Sequence, residues 1–228
     1  MKSPLVSIVI SLYNGESHII ETVESVRAQD YPHTEIIIID DGSTDGGAAL
    51  VREQSGIDYV YQENAGNAAA RNAGIDRAQG DFIALLDQDD IWLPHKLSRQ
   101  VLALEESPTS GFAICHARLN LQEGMTLPAS YSSEMARGPF PAYVPSALMM
   151  RRETVARVGE FDTSLAMGND SDWFFRAKDA GVHGVVVDDV LFEKRVHAVN
   201  QGHDVGAMRQ DLMKLVRASA QRKRDAAM

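Results

Sequence analysis

Ile36-Ile37-Ile38-Ile39-Asp40-Asp41-Gly42-Ser43-Thr44-Asp45 runs four consecutive isoleucines into an acidic turn. A strand with no polar alternation must be covered on both faces, which is the situation inside a parallel sheet. Asp-Gly then bends the chain, and Ser43 and Thr44 are residues that cap a helix, here read over 46–53. Upstream, Leu5 to Ser11 reads as a second buried strand. Glu16 to Asp30 reads as a helix with Ile19, Ile20, Val23 and Val26 in one stripe, closed by Tyr31-Pro32. Downstream come a short strand over 57–61, an alanine-rich helix over 66–78, a buried strand over 82–86 and a helix over 94–106. This rhythm predicts an α/β fold with a mostly parallel central sheet flanked by helices.

Beyond residue 107 the rhythm loosens. Strands are expected at 111–117, 147–151 and 182–187, and helices at 153–158, 170–180 and 209–217. In the last of these, Leu212, Leu215 and Val216 share a side, and the closing QRKRDAAM reads as a solvated end. Residues 120–145, rich in Gly, Pro and Ser, read as a long loop of the kind that carries function.

The 228 residues suffice for one large domain with its own core. A single cysteine, Cys115, excludes an intrachain disulfide and sits in an apolar run that reads as core. Lys and Arg number 22 against 32 Asp and Glu, a formal charge of −10. So acidic a chain is a poor partner for nucleic acid. It would also repel a diphosphate unless cations intervene locally. The opening MKSPLVSIVI is too short and too soon interrupted for a signal peptide, and no apolar run is long enough to span a bilayer. A cytoplasmic setting is expected, with peripheral contact at the inner face of the membrane left open.

Parallel sheets present ligands beyond the carboxyl ends of their strands. Two acidic clusters fall there, Asp40 to Asp45 and Asp87-Gln88-Asp89-Asp90. The first has an ordinary reading as a turn and helix cap. The second packs three carboxylates into four residues, which repel one another without solvent, basic partners or a cation. Asp87 and Asp89 share a side if the segment stays extended, and hard oxygens suit Mg²⁺ or Mn²⁺. Between the clusters, Asn64 to Gly74 supplies a helix start and Arg71, which either faces a diphosphate or pairs with one of the aspartates. Neither a P-loop nor a dinucleotide fingerprint is present.

Together these residues resemble the inverting glycosyltransferases of family 2, with the GT-A fold. The resemblance runs from Val6 to Asn14 through Ile39 to Asp45, Leu86 to Asp90, Ile91 to Leu97 and Val158 to Asp162, and ends near 201. It implies a single domain of two halves: 1–106 binding the nucleotide sugar, and 107–208 binding the acceptor and carrying the catalytic base. Residues 209–228 form a terminal helix and tail. It further implies that Ser11, Leu12 and Tyr13 line the nucleoside pocket, that Asp41 accepts from the base, and that Asp40 supports that loop. Arg71 and Asp87 would serve the donor, Asp87 at the ribose or near the metal. Asp89 would be the principal ligand of Mn²⁺ or Mg²⁺, with His197 of Arg195-Val196-His197, followed by Asn200, approaching it. Asp170 would be the base.

Two departures stand out. Ser11 replaces the family's usual proline, and Asn169 replaces the glutamate that usually precedes the base, exchanging a charge for an amide near the acceptor. Asn169 and Asp170 also suit a helix start, with Asp172 in the positive first turn. Trp173 either floors the acceptor site or belongs to the core. The expected partners are a nucleotide-sugar donor, UDP-linked by preference, and a glycan, lipid-linked saccharide, peptide or small-molecule acceptor. The alternatives are a non-catalytic nucleotide-sugar or glycan binding module and a sugar nucleotidyltransferase. The latter lacks its basic, glycine-rich triphosphate loop at Ser11 to Gly15.

Overall fold

A computed structural model describes residues 3–128, 131–165, 167–197 and 205–225; Asn200 lies outside them. In chain order the elements are β1 (Val6–Leu12), α1 (Ile19–Arg27), β2 (Thr34–Asp41), α2 (Gly47–Arg52), β3 (Ile57–Gln62), α3 (Asn67–Arg77), β4 (Phe82–Asp87), β5 (Ile91–Trp92) and α4 (Lys96–Glu106). They continue with β6 (Phe112–Leu121), β7 (Phe140–Pro141), β8 (Met149–Arg151), α5 (Arg152–Val158), α6 (Asn169–Asp179), β9 (Gly184–Val196) and α7 (Val205–Asp225).

One sheet runs in the order β3-β2-β1-β4-β8-β6-β9-β5, with β7 beside β6. The first four strands are parallel. Short β8 reverses direction between β4 and β6. The sheet therefore crosses residue 106 without a break. Ile37, Ile38 and Ile39 are buried as the isoleucine run predicts. Helix α3 lies unusually close to β1 and β2. A Cβ on Gly74 would stand 2.2 Å from Val9 Cγ1, so glycine is what lets the helix settle there.

Register decides where the chemistry can be. Ser11 pairs with Ile39 on one side and Asp87 on the other, and Leu12 with Asp40. The two acidic clusters thus emerge at the same edge of the sheet. Strand β9 runs well past the expected 182–187. It is interrupted opposite Cys115 to Ala117 by a bulge that takes up Asp188 and Asp189, and then continues to Val196. That continuation carries Lys194 and Arg195 toward the acidic edge. The terminal helix is also longer than expected: α7 extends to Asp225, packs on α6, and is tied to it by Ser219 and Arg222, which both donate to Asp179. No helix among the described residues is long and apolar enough to cross a membrane.

Candidate active site

The loop after β1 is fastened at both ends. Ser11 Oγ donates to Asn67 Oδ1 at 2.7 Å. The Tyr13 N–H donates to Gln88 Oε1 at 2.7 Å, and Gln88 Nε2 donates back to the Tyr13 carbonyl at 2.9 Å. Asn14 Oδ1 accepts from the Thr44 N–H at 2.8 Å, which joins this loop to the turn after β2. Tyr13 is 45% exposed and available to a flat ligand, whereas Leu12 is wholly buried.

Asp40 is a buried brace: it accepts from the Ser43 N–H at 2.8 Å and from the Tyr59 hydroxyl. Burial and the Asp40 carboxylate push that phenol up to about 12. Asp41 differs from expectation. Its two oxygens already accept from Gln62 Nε2, Asn64 Nδ2, Ala65 N–H and Gly66 N–H at 2.7 to 3.2 Å. A carboxylate has about four acceptor positions, so here Asp41 ties down the segment that starts α3 rather than offering an open acceptor to a base.

The second acidic cluster forms a turn, so the condition under which Asp87 and Asp89 would share a side of an extended segment is not met; the Asp90 N–H donates to the Asp87 carbonyl. The turn still gathers one carboxylate oxygen each from Asp87, Asp89 and Asp90 within 4.8 Å of one another, a set that could hold a metal ion. Asp87 accepts from Arg71 Nη2 at 2.8 Å and has Lys194 Nζ at 3.5 Å. Asp89 faces His197 Nε2 at 2.9 Å. Burial raises Asp89, but the Lys194 ammonium and His197 outweigh it and hold the carboxyl down at about 2. Asp90 is fully buried and accepts from Ser146 Oγ, from Lys194 Nζ at 3.0 Å and from the Arg195 N–H at 3.1 Å. Burial lifts it to about 7 against the pull of Lys194. Lys194 itself is driven well above its ordinary value, because the surrounding carboxylates overcome its burial.

Arg71 is buried, and its fork reaches two elements. One nitrogen donates to Asp87 and the other to Asn169 Oδ1, both at 2.8 Å. A second staple joins Asn72 to the Phe161 backbone in both directions. Together they bring the first turn of α6, with Asp170, beside the end of β4. Burial raises the Asp170 carboxyl, while the Arg71 charge opposes that shift. The Ser171 N–H donates to it at 2.7 Å.

Of the two readings of Trp173, the structure gives the core. The side chain is 1% exposed, stacks on Phe161, meets Phe112 edge-on and donates to the Gly159 carbonyl. It is therefore not the floor of an acceptor site. On the far side of the cluster, Arg195 donates to His18 Nδ1 and Glu21, and the His18 ring stands 4.7 Å from that of His197. The sequence assigns no role to Lys194, Ser146, Gln88 or His18, because their roles depend on partners dozens of residues away.

Residues 7–154 match the family model described as Glycosyl transferase family 2. The chain belongs to glycosyltransferase family 2. A Rickettsia prowazekii protein named as an uncharacterized glycosyltransferase is 32% identical over 215 residues, 86% of this chain and 65% of its own length. A Bacillus subtilis glycosyltransferase provisionally assigned to teichuronic acid biosynthesis is 41% identical over 129 residues, 54% of this chain and 51% of that protein.

Among solved structures, S. aureus TarS 1-349 in complex with UDP-GlcNAc superposes with a TM-score of 0.75 at 19% identity, covering 95% of this chain and 66% of that one. The Pyrobaculum calidifontis mannosyltransferase PcManGT, in complex with GDP-Man and Mn²⁺, gives 0.74 at 21%, covering 96% and 65%. This glycosyltransferase chain therefore has the GT-A type α/β fold, and it spans about half to two thirds of the length of these relatives.

Proposed function

We propose that this chain is the catalytic domain of an inverting glycosyltransferase that moves a sugar from a nucleotide diphosphate, a UDP-sugar by preference, to an acceptor hydroxyl. The observation that carries the reading is the Arg71 fork. It bonds both Asp87 of the acidic turn and Asn169, the residue before Asp170.

In this reading Ser11 and Tyr13 receive the nucleoside, buried Leu12 supports them, and the segment held by Asp41 shapes that pocket. Asp89 and His197 would hold a divalent cation, with Asp87 beside it, and the carboxylate and imidazole donor set suits Mn²⁺ or Mg²⁺. Such an ion, when bound, neutralises charge on the leaving diphosphate. Asp170, raised by burial, takes the proton of the attacking hydroxyl. The new C–O bond forms as the bond from the anomeric carbon to the phosphate oxygen breaks. That electron pair leaves on the nucleoside diphosphate, and configuration inverts.

Asn169 holds Arg71 without adding a charge next to the base. Residues 1–106 then serve the donor and 107–208 the acceptor and base, while 209–228 are the terminal helix and tail, of which α7 packs on α6. A glycan, lipid-linked saccharide, peptide or small molecule would suit as acceptor. The single buried thiol of Cys115 suits a cytoplasmic setting.

The test is nucleotide release from a panel of UDP-, GDP- and dTDP-sugars with Mn²⁺, Mg²⁺ or EDTA, alongside Asp89→Ala and Asp170→Asn. Metal-dependent release from one donor, lost in Asp89→Ala, is expected. Donor binding with no turnover across acceptors would instead make the chain a sugar-nucleotide binding module.

A further inference from the structure

Three carboxylates gathered within 4.8 Å are normally an invitation to a divalent ion, yet this cleft already contains a cation. Lys194 Nζ stands 3.0 Å from Asp90 and 3.5 Å from Asp87, on a side chain that is 17% exposed, and its charge also acts on Asp89. It arrives on β9, from more than 100 residues downstream, and its position is fixed on both sides. Trp92 pairs with Phe192 and Ile91 with Glu193 just before it, and the Arg195 N–H donates to Asp90 just after. Asp90 faces three donors, Lys194, Ser146 and the Arg195 backbone, which hold it as a structural group. With Arg71 on Asp87 as well, two fixed cations stand among the three acids.

We infer that Lys194 is a positioning residue that keeps the acidic cleft from capturing a divalent ion on its own, so that the ion enters together with the donor's diphosphate. The inference rests on the metal-dependent donor reading above. Its physics is simple. An ammonium among the carboxylates repels a divalent ion at short range in a poorly screened site. The cleft's remaining charge cannot offset the loss of the ion's hydration. A diphosphate supplies further hard oxygens and negative charge at the open side, and the sum then favours binding. Lys194 also stabilises the empty cleft, which would otherwise hold mutually repelling acids.

The experiment is Mn²⁺ binding at pH 8, followed by electron paramagnetic resonance of the free ion, with and without UDP. The wild type should bind Mn²⁺ weakly alone and at least about tenfold more tightly with UDP. Lys194→Met should bind Mn²⁺ alone about tenfold or more tightly than wild type, whereas Lys194→Arg, which keeps the charge, should not. Lys194→Met leaves Asp90 without its counter-ion and can fail to fold. Asp90→Asn is therefore compared with Asp90→Asn/Lys194→Met, which removes both charges of the pair. The double variant should bind the ion about tenfold or more tightly than Asp90→Asn and return close to wild type.

If removing Lys194 in either background changes Mn²⁺ affinity by less than about twofold, the role given to Lys194 is overturned while the metal-dependent reading stands. The same holds if affinity falls. If no variant binds Mn²⁺ even with UDP, the metal-dependent reading itself fails.

Discussion

Replacing Arg71 by alanine removes a side chain that bonds both Asp87, at the end of β4, and Asn169, at the start of α6. The loss can be worked out from its contacts. Arg71 and Asp87 are 7% and 19% exposed, so theirs is a buried pair. Removing one partner of such a pair costs about 3–5 kcal/mol. Lys194 remains 3.5 Å from Asp87 and moderates the damage, which places the cost near the lower end, about 3 kcal/mol. The bond to Asn169 adds about 1 kcal/mol.

For a chain of this length about 4 kcal/mol corresponds to a melting temperature lowered by roughly 8–16 °C. Asn169→Ala alone should cost about 1 kcal/mol. The double variant should match Arg71→Ala, because the shared bond is lost only once, leaving a coupling of about 1 kcal/mol. Arg71→Lys should fall between, since an ammonium can serve Asp87 or Asn169 but lacks the fork for both. Thermal unfolding by calorimetry reads all four. If Arg71→Ala and Asn169→Ala add within about 0.3 kcal/mol, the fork does not join β4 to α6 and the argument for Asp170's placement fails.

Asp41→Asn puts an amide N–H₂ where four donors now converge. It should cost about 1–3 kcal/mol in the absence of any nucleotide, and an unchanged melting temperature would reopen the position as a free acceptor for a base. Trp173→Phe should lower stability by about 1–3 kcal/mol through the lost Gly159 bond and the volume left behind, with the acceptor KM unchanged; a raised KM at unchanged stability would contradict its core placement. Asp170→Asn should slow transfer by about 10²–10⁴-fold.

The same Asp170 variant has a stability signature whose sign follows from burial. The folded chain holds the carboxyl above its unfolded value, so ionisation penalises the folded state once pH exceeds the ordinary carboxylate range. Asp170→Asn should therefore raise the melting temperature near neutral pH, and the gain should vanish as pH falls below that range. A lowered melting temperature near neutral pH would show that Asp170's charge is stabilised rather than strained.

The N-terminal half was legible because local pattern and tertiary placement agree there. Ile37, Ile38 and Ile39 are apolar for the same reason that they are central. Strands β5 and β7, two residues each, exist only through their pairing with distant strands and carry no pattern of their own. The second half of β9 was hidden by Asp188-Asp189, which look like a turn in sequence and prove to be a bulge within one long strand. The acidic turn announced itself by composition. Its internal cation did not, because a lysine 104 residues from Asp90 reads as an ordinary surface residue until β9 is seen to pass the cleft. Trp173 stayed open between two readings for a related reason. Its neighbours in sequence are acidic and point to a site, whereas its neighbours in space are Phe112 and Phe161.

Gln88 gives the middle of the acidic turn a mechanical duty. Its amide meets both the N–H and the carbonyl of Tyr13, as a neighbouring strand would. The loop expected to receive the nucleoside is thus buttoned to the turn expected to receive the metal. An engineer who transplants residues 11–15 from a relative to change donor preference would move the buttonhole and leave the button. Exchanges that carry position 88 along with the first loop should yield folded, working chimeras more often than loop swaps alone.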